Sequence, residues 1–378
     1  MASVAMVVSN ACSPDPRVLR SAKVLANAGH DVTVHAFDRN QSFPMSEARN
    51  GFRIMRYHLG SFSYGAKLAT LRGLRRFVRT VTSTLLASPP DCVYCHDADT
   101  LAIGTKIAAK TSTKLVFDMH DLHHTWALMD KPNSWLRRFA ARQLERKCVS
   151  RARLADLVIT SSGMKKDGMY RGFREYLEDN NVASIVVENR PYVQNNILKT
   201  AGKETWTVGY LGRVREIETF QLLVQAIESM PSKERPNLKV AGDGTALEAV
   251  HEYLLEEASR LGIHLSLSSA FETEALPELI QDVDVMFAMY PPHRGNIMQG
   301  ALPVKMFDAA SFGVPTLVNS GCLMGEVCEF ESLGAGAKWN DVASIAECLR
   351  SLKSVIVNLD DIGRDQHAML LEAVEAIL

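Results

Sequence analysis

Residues 283–319 read VDVMFAMYPPHRGNIMQGALPVKMFDAASFGVPTLVN, and this stretch decides the fold. An apolar strand over 283–288 leads into a glycine-bearing loop that runs to Gly300. Pro303 suits the first position of a helix, because its ring already holds the helical φ angle. Residues 314–318 are apolar again and predict the next strand. The order strand, loop, helix, strand predicts a β-α-β unit of a parallel sheet.

The helix that begins near Pro303 predicts an anion site. Its first backbone N–H groups have no partner inside the helix, so they can bind an anion in the loop. Lys305 lies in the first turn, and Asp308 follows it on the same helix. We expect phosphate on the amides and on Lys305, and sugar hydroxyls on the Asp308 carboxylate, as in a site for a nucleoside diphosphate. The alternative is that both are solvent-facing helix residues.

Length and composition indicate a globular protein with two domains. The chain has 378 residues, of which 47% are hydrophobic and 22% are charged, and this length supports two full cores. No run of about 18 apolar residues predicts a transmembrane helix. The start of the chain lacks the basic segment of a signal peptide and predicts a β-strand. We therefore expect a cytoplasmic protein.

The seven cysteines do not predict disulfides, because they are scattered and odd in number. Cys92 and Cys95 form a C-x-x-C pattern, but they fall on a predicted strand. Residues three apart on a strand point to opposite faces of the sheet. Reduced core cysteines are therefore expected here, which agrees with a cytoplasmic location.

Charge is distributed unevenly along the chain. Residues 1–190 hold 28 Lys and Arg against 17 Asp and Glu, a net charge of +11, whereas residues 191–378 hold 14 against 26, a net charge of −12. Two basic helical patterns, over 67–87 and 134–153, combine arginines with apolar residues. Such helices suit an anionic membrane surface, and the alternative is a merely solvated basic face. Nucleic acid is not an expected partner, since no binding motif accompanies the charge.

Strand-like and helical patterns alternate from end to end of the chain. Near-continuous Val, Ile and Leu runs separated by helices predict parallel sheets covered on both faces. The expected fold class is α/β with two doubly wound Rossmann-like domains. We predict a first domain over 1–190, a linker over 191–206 and a second domain over 207–355. Residues 356–378 are predicted to form a helix that crosses back to the first domain.

Ligands of such sheets bind at the carboxyl ends of the strands, and polar residues collect there in both halves. In the first half these residues are Asp15, Arg17, His96, His120 and Asp121. In the second half they are Gly212, Arg213 and Arg215. The histidines, with Asp121, are the catalytic candidates, expected to orient a sugar or to assist proton transfer. The arginines present planar donors that match phosphate oxygens, and the alternative for them is a surface salt bridge.

Asp15 and Arg17 follow the first strand and leave two interpretations open. Asp is a favoured N-cap residue, so Asp15 either caps the helix that starts near Pro16 or binds a substrate. Arg17 is a candidate for binding a substrate phosphate.

The motifs together resemble the retaining glycosyltransferases with the GT-B fold, the family called glycosyl transferases group 1. The resemblance covers nearly the whole chain, and it depends on six motifs in the right order and spacing. They are Asp15-Pro16-Arg17-Val18 with Gly29-His30-Asp31-Val32-Thr33-Val34, His96-Asp97-Ala98-Asp99-Thr100-Leu101, Phe117-Asp118-Met119-His120-Asp121, Gly209-Tyr210-Leu211-Gly212-Arg213, Ala241-Gly242-Asp243-Gly244, and Pro303-Val304-Lys305-Met306-Phe307-Asp308 with Gly313-Val314-Pro315.

The resemblance implies that a hexose is moved from a nucleoside-diphosphate sugar to an acceptor, with retention of configuration and without a metal or a cofactor. It implies two domains that face a central cleft, the first binding the acceptor and the second the donor. A glycan, a lipid-linked molecule or a small molecule is the expected acceptor, reached from the inner face of a membrane. By the same resemblance Arg213 clamps the donor diphosphate, and Asp308 meets the ribose hydroxyls.

Two positions depart from the family pattern. An acidic residue is usual where Gly300 stands, and a lysine is usual where Glu218 stands. Gly212 and Gly300 remain part of the expected donor site, and Arg215 or Lys305 could supply the missing positive charge. The departures leave two alternatives open: a nucleotide-sugar epimerase or hydrolase of the same fold, and a non-catalytic glycosyltransferase-like subunit.

Overall fold

The computed structural model describes residues 1–13, 15–59, 67–129, 131, 133–191, 199 and 205–378. The chain forms two compact units. The first unit consists of Met1–Gly163, Phe173–Glu188 and Arg364–Leu378, and the second consists of Met164–Gly172 and Asn189–Gly363. The predicted linker over 191–206 lies mostly outside the described residues.

The first unit is built on an eight-stranded sheet. Its strands are β1 (Ser3–Val8), β2 (Asp31–Ala36), β3 (Ser46–Arg49), β4 (Phe52–Arg56), β5 (Cys92–His96), β6 (Lys114–Met119), β7 (Leu157–Thr160) and β8 (Ile185–Val186). They lie in the order β3-β4-β2-β1-β5-β6-β7-β8, and every neighbouring pair is parallel except β3 with β4. The carboxyl ends of β1, β5 and β6 therefore meet at one edge of the sheet.

Helices in the first unit bury apolar faces. In chain order they are α1 (Pro16–Asn27), α2 (Lys67–Ala87), α3 (Leu101–Ala108), α4 (His123–Trp126), α5 (Trp135–Ala152) and α6 (Phe173–Asp179). In α1, the residues Val18, Ala22 and Leu25 recur at helical spacing and are buried in one core with Met6 and Val34 of the sheet. This packing fixes α1 against the strands whose ends carry the polar candidates.

The second unit contains a six-stranded sheet that is parallel throughout its described pairs. Its strands are β9 (Thr207–Leu211), β10 (Asn237–Ala241), β11 (Leu265–Ser268), β12 (Val285–Ala288), β13 (Thr316–Asn319) and β14 (Gly334–Ala337). They lie in the order β11-β10-β9-β12-β13-β14. The chain reverses direction across the sheet between β9 and β12, which is the position where doubly wound sheets bind ligands.

Seven α-helices accompany this sheet among the described residues. They are α7 (Glu218–Glu228), α8 (Leu247–Leu261), α9 (Leu276–Ile280), α10 (Gly295–Met298), α11 (Val304–Ser311), α12 (Leu323–Phe330) and α13 (Val342–Leu352). Phe220, Leu223 and Ile227 of α7 are buried in the core with Val208 and Val240 of the sheet. The last helix, α14 (Gly363–Glu375), places Leu370 and Val374 in the core of the first unit.

The predicted fold class is confirmed, because both units are α/β structures around mainly parallel sheets. The sequence does not predict β3 and β14, because their sequences SEAR and GAGA lack the apolar run of the other strands. It also does not predict that Met164–Gly172 belongs to the second unit. The backbone N–H of Met169 donates to Glu326 Oε2 at 2.6 Å, and this long-range bond has no local sequence signal.

Two further expectations concern the cysteines and the membrane. All seven cysteines are free thiols, and Cys92 and Cys95 are buried in the first core, as the strand pattern predicts. Within the described ranges, no helix has both the length and the apolar content that crossing a bilayer requires.

Candidate functional site

In the first unit, the neighbouring strands β5 and β6 bring the two candidate histidines together. His96 is the last residue of β5 and pairs in register with Asp118 of β6, and His120 follows β6 directly. The imidazole rings of His96 and His120 stack with centroids 5.9 Å apart and planes 12° apart. The two strand ends thus form one cluster rather than two separate sites.

The carboxylate of Asp118 is the centre of this cluster. Its Oδ1 lies 3.1 Å from His120 Nε2, and its Oδ2 lies 3.5 Å from His96 Nδ1. The hydroxyl of Tyr94 donates to the same Oδ2 at 2.8 Å. All four side chains are buried. Asp118 belongs to one of the sequence motifs, but the sequence predicts no role for it, because a residue inside a strand is not expected at the sheet edge.

The carboxylate gives the two histidines different proton affinities. Burial alone lowers the pKa of a histidine, and it lowers that of His96 to about 4. Burial acts on His120 in the same direction, but the adjacent Asp118 outweighs it and raises the pKa of His120. His96 is therefore neutral at pH 7, and His120 holds a proton more strongly than an ordinary histidine does. We will call His96, Asp118 and His120 the Asp118 cluster.

The same three residues have the donor set of a metal site. One ligand atom from each of His96, Asp118 and His120 lies within 4.8 Å of the others. Imidazole nitrogen and carboxylate oxygen are ligands for Zn²⁺ and related cations. The expectation that this chain works without a metal stays a prediction, and the Asp118 cluster is where it can be tested.

Asp15 and Arg17 lie at the end of β1 and the start of α1. Asp15 Oδ1 accepts from the backbone N–H of Val18 at 3.5 Å, so Asp15 caps α1. Asn10 Nδ2 donates to Asp15 at 2.8 Å, and Arg17 Nε lies 3.3 Å from it. Burial would raise the pKa of Asp15, but Arg17 and Asn10 together lower it. The capping interpretation therefore describes the geometry, and contact with an acceptor stays a prediction.

Asp97 joins these residues to the Asp118 cluster. Its Oδ1 accepts the backbone N–H of His120 at 3.1 Å, and its Oδ2 lies 3.9 Å from Arg17 Nη2. Burial raises the pKa of Asp97 to about 6. Its φ of 61° is unusual for a residue other than glycine. Asp121 also lies near enough to raise the pKa of Arg17, although burial and Asp15 have larger effects.

In the second unit, two strand-end loops pack closely after β9 and β10. The N–H of Gly212 donates to Ala241 O at 2.8 Å, and the N–H of Val214 donates to Asp243 O at 2.6 Å. A Cβ on Gly242 would lie 1.8 Å from Gly212 O, and one on Gly244 would lie 1.9 Å from Val214 O. The G-x-G pattern therefore serves this close approach of two backbones.

Lys305 of α11 lies beside the first of these loops. Its ammonium is 3.5 Å from the ring centroid of Tyr210, and a Cβ on Gly212 would lie 3.8 Å from Nζ. Nζ is buried and makes no hydrogen bond to any described residue. Burial, aided by Arg294, lowers the pKa of Lys305 to about 7. The charge of Glu216 offsets part of this shift. A buried ammonium without a hydrogen-bonded anion is costly, which marks this position as a place for an anion.

A buried ion pair lies near Lys305. Arg294 Nη1 lies 2.6 Å from Glu216 Oε1, with side-chain exposures of 10% and 9%. Arg294 also lies 5.8 Å from the ring of Tyr290, whose centroid is 5.6 Å from Lys305 Nζ. Sequence reasoning missed Arg294 and Glu216, which are 78 residues apart. Because Glu216 already forms an ion pair with Arg294, it does not form one with Lys305.

The remaining donor candidates occupy different surroundings. Arg213 is half-exposed, 3.4 Å from Asp243, and Tyr210 Oη donates to its carbonyl at 2.8 Å. Arg215 lies close enough to contribute to the lowered pKa of Lys305. Asp308 is partly buried and follows Lys305 by three residues on α11. The structure thus gathers Gly212, Lys305 and Arg215, with Arg213 and Asp308 next to them in the chain.

Both departures from the family pattern have a local structural basis. Gly300 has a φ of 117°, and a Cβ there would lie 2.7 Å from Gly172 Cα. The backbone at 171–172 thus occupies the space of a side chain at position 300. Glu218 is exposed in the first turn of α7, where a negative charge stabilises the helix N-terminus.

Part of the chain matches a known protein family in sequence. Residues 14–174 match the family model described as Glycosyl transferase 4-like domain. No curated protein sequence matches the chain closely enough to count as a relative.

Solved structures resemble the whole chain. Sucrose-phosphate synthase from Thermosynechococcus elongatus is 14% identical with a TM-score of 0.71, and the match covers 100% of this chain and 96% of that one. The Anabaena protein HepE in complex with UDP-glucose is 14% identical with a TM-score of 0.63, covering 100% and 98%. TarM of S. aureus, solved with UDP and alpha-GlcNAc-glycerol among its ligands, is 10% identical with a TM-score of 0.66, covering 100% and 99%. At these identities the likeness shows the fold.

The family match and the fold agree with each other. Residues 14–174 match a glycosyl transferase 4-like domain, and the chain as a whole has the two-sheet α/β fold of the solved structures that it resembles.

Proposed function

We propose that the chain is a glycosyltransferase that moves a sugar from a nucleoside-diphosphate sugar to an acceptor hydroxyl, with retention of configuration. The observation that carries the proposal is the buried ammonium of Lys305, which stands beside Gly212 without a hydrogen-bond partner among the described residues. A diphosphate provides negative charge that pairs with this ammonium. The glycosyl transferase 4-like domain supports the choice of glycosyl transfer over other nucleotide chemistry.

In the donor site, several positive groups share the charge of the diphosphate. Lys305 contributes a point charge, whereas Arg213 and Arg215 offer planar pairs of donors that fit phosphate oxygens. The N-terminus of α11 adds partial positive charge. Asp308, further along the same helix, accepts hydrogen bonds from ribose hydroxyls. These groups stabilise the negative charge that develops on the leaving phosphate.

During transfer, the bond between sugar C1 and the phosphate oxygen breaks, and a bond between C1 and the acceptor oxygen forms. The acceptor proton passes to the departing phosphate oxygen, so no external acid or base is consumed. His120 hydrogen-bonds the transferred sugar, and Asp118 holds its imidazole in one orientation. Arg17, a quarter exposed, is proposed to bind an anionic group of the acceptor.

The structural neighbours suggest which donors to test first. HepE was solved with UDP-glucose, and TarM was solved with UDP. We therefore propose a UDP-sugar as donor and a glycan or a lipid-linked molecule as acceptor. The stereochemical outcome and the independence from metal belong to the same proposal.

A thermal-shift screen against UDP, GDP, ADP and dTDP tests the donor site. A ligand present at 100 times its Kd stabilises the folded protein by about 2.7 kcal/mol, so the fitting base is identified by the largest rise in Tm. NMR of the product from the matching sugar nucleotide then reports the anomeric configuration.

Three results would redirect the proposal. Turnover of the donor without any acceptor would favour the epimerase or hydrolase. No rise in Tm with any diphosphate at millimolar concentration would favour a non-catalytic subunit. An inverted anomeric product would leave glycosyl transfer intact but remove retention.

A further inference from the structure

The start of α5 exposes large apolar side chains to solvent. Trp135 is 74% exposed, Leu136 is 59% exposed and Phe139 is 61% exposed. These residues lie on the outward side of the first two turns, whereas Ala141, Val149 and Ala152 face the protein and are buried. A contiguous exposed apolar group of this size is unusual on a globular protein and marks an interaction surface.

Positive charge continues the same surface along the helix. Arg138, Arg142 and Arg146 are all exposed. The helix holds one acidic residue, Glu145, which accepts from the hydroxyl of Tyr176 at 3.1 Å and is partly buried. The exposed side of α5 is thus apolar at its start and basic beyond it. We call Trp135, Leu136, Arg138, Phe139, Arg142 and Arg146 the α5 surface.

A shallow groove beside α4 adds to this surface. Its volume is about 330 Å³, and it is lined by His124, Leu128, Arg138, Ala141, Arg142 and Glu145. Two guanidinium groups at one groove suit a phosphate group, because their N–H donors match its oxygens. An apolar surface next to a groove that two arginines line is the arrangement needed to insert side chains between lipids while holding a headgroup.

The other basic helix, α2, differs because most of its large apolar side chains are not exposed. In α2, Arg72, Arg75, Arg76 and Arg79 are exposed, but Phe77, Val81 and Leu85 are buried in the first unit. Among the described side chains of α2, Leu71 is the one exposed large hydrophobic, at 43%. The basic side of α2 therefore resembles an ordinary solvated surface.

We propose that the α5 surface docks on an anionic lipid bilayer, with Trp135, Leu136 and Phe139 inserted at the level of the headgroups. Aromatic rings are favoured at this interface, and arginines bind the lipid phosphates from the same side. The charge complementarity between three exposed arginines and an anionic leaflet selects lipid as the partner. The proposal is independent of the donor site, since it involves neither Lys305 nor the Asp118 cluster.

Vesicle flotation tests the docking. Full-length protein is mixed with vesicles of phosphatidylcholine alone, or of phosphatidylcholine with an equal amount of phosphatidylglycerol. Each arginine near an anionic surface contributes about a fivefold gain in partitioning. The triple variant Arg138→Ala, Arg142→Ala, Arg146→Ala is therefore expected to bind anionic vesicles about 100-fold more weakly. The matched control, Arg72→Ala, Arg75→Ala, Arg76→Ala, removes the same charge from α2 and is expected to bind as wild type.

Insertion of Trp135 into the bilayer is measured separately, by fluorescence quenching. Brominated lipids quench nearby indoles, and the signal of Trp135 is obtained as the difference between wild type and Trp135→Phe. The account expects quenching of Trp135 on anionic vesicles, and loss of vesicle binding in Trp135→Ser, Leu136→Ser, Phe139→Ser at unchanged Tm. Equal binding by that variant, or equal loss in the α2 control, would overturn the proposal. So would a wild-type dimer that the serine variant abolishes while no vesicle binding is seen.

Discussion

The Asp118 cluster and the surroundings of Lys305 handle buried charge in opposite ways. Around Asp118, the negative carboxylate faces His120, His96 and the hydroxyl of Tyr94, so the charges compensate one another within the protein. Around Lys305, the available carboxylate of Glu216 is held by Arg294, and the ammonium rests on the ring of Tyr210. In the first arrangement opposite charges face each other, whereas the second has an excess of positive charge. A negatively charged ligand is therefore expected beside Lys305 and not at the Asp118 cluster.

The largest expected effect comes from the Asp118 cluster. His120→Ala removes the proposed contact to the sugar and leaves Asp118 buried with less compensation, so the transfer rate should fall at least about 100-fold. His264→Ala, an exposed histidine of the second unit, is the control and should keep wild-type rates. Steady-state kinetics and Tm are measured on both variants. A normal rate in folded His120→Ala would remove this residue from the catalytic site.

The surroundings of Lys305 predict a loss of affinity without a loss of folding. Lys305→Met keeps the length of the side chain and its contact with the Tyr210 ring but removes the charge. Hydrogen bonds to charged groups are worth about 1.5–3 kcal/mol, so the Kd for the nucleoside diphosphate should rise about 10- to 100-fold. Isothermal titration calorimetry measures it, with exposed Lys353→Met as control.

The same variant distinguishes a functional lysine from a structural one. Because the ammonium is buried without a hydrogen bond to the described residues, Lys305→Met should leave the Tm of the ligand-free protein unchanged or higher. A large fall in Tm together with unchanged Kd would mean that Lys305 stabilises the fold instead of binding the donor.

Gly300 tests whether the second unit depends on its departure from the family pattern. Ala at this position combines a positive φ with a Cβ 2.7 Å from Gly172 Cα, so Gly300→Ala should lower the free energy of unfolding by about 2 kcal/mol or more. Gly262→Ala is the control, since Gly262 also has a positive φ but nothing within 4 Å of its added Cβ. Urea denaturation compares the two variants, and equal losses would show that the packing against Gly172 contributes nothing.

The pH dependence of binding sharpens the contrast between the two regions. The pKa of Lys305 is lowered to about 7, and a bound diphosphate raises it again by favouring the charged form. Binding therefore takes up a proton above pH 7, and the affinity is highest below pH 7. Above pH 7 the Kd should rise with increasing pH, by up to about tenfold per pH unit. Lys305→Arg keeps its charge and should flatten the profile, whereas an unchanged slope would assign the titration to another group.

The smallest expected effect is none at all. If the Asp118 cluster works through its own charges, removing divalent cations with a chelator should leave the transfer rate unchanged. Metal analysis of the purified protein accompanies the assay. Loss of activity that Zn²⁺ restores, together with bound metal in wild type but not in His96→Ala, would make the cluster a metal centre.

The sequence predicts much of the framework and part of the site. Continuous apolar runs predict the parallel sheets, and the helix opened by Pro303 predicts the position of Lys305. What it does not predict depends on contacts between distant segments. The pairing of Arg294 with Glu216, the packing of Gly172 against Gly300 and the ring beneath Lys305 all arise from such contacts.

In the first unit, too, part of the site depends on contacts that the sequence does not predict. Two histidines at neighbouring strand ends are visible in the sequence, but Asp118 lies inside β6 and becomes central only through its register with His96. Asp15 was predicted with two roles because N-caps and substrate-binding carboxylates favour the same residue type at the same place. The hydrogen bond to Val18 identifies the cap, and it leaves the second role to experiment.

A crystal structure with the nucleoside diphosphate that binds most tightly tests the central claim most directly. The account predicts phosphate oxygens within hydrogen-bond distance of Lys305 Nζ and close to the backbone of Gly212. A diphosphate bound elsewhere in the second unit, with Lys305 still resting on Tyr210 and without an anion, would contradict it.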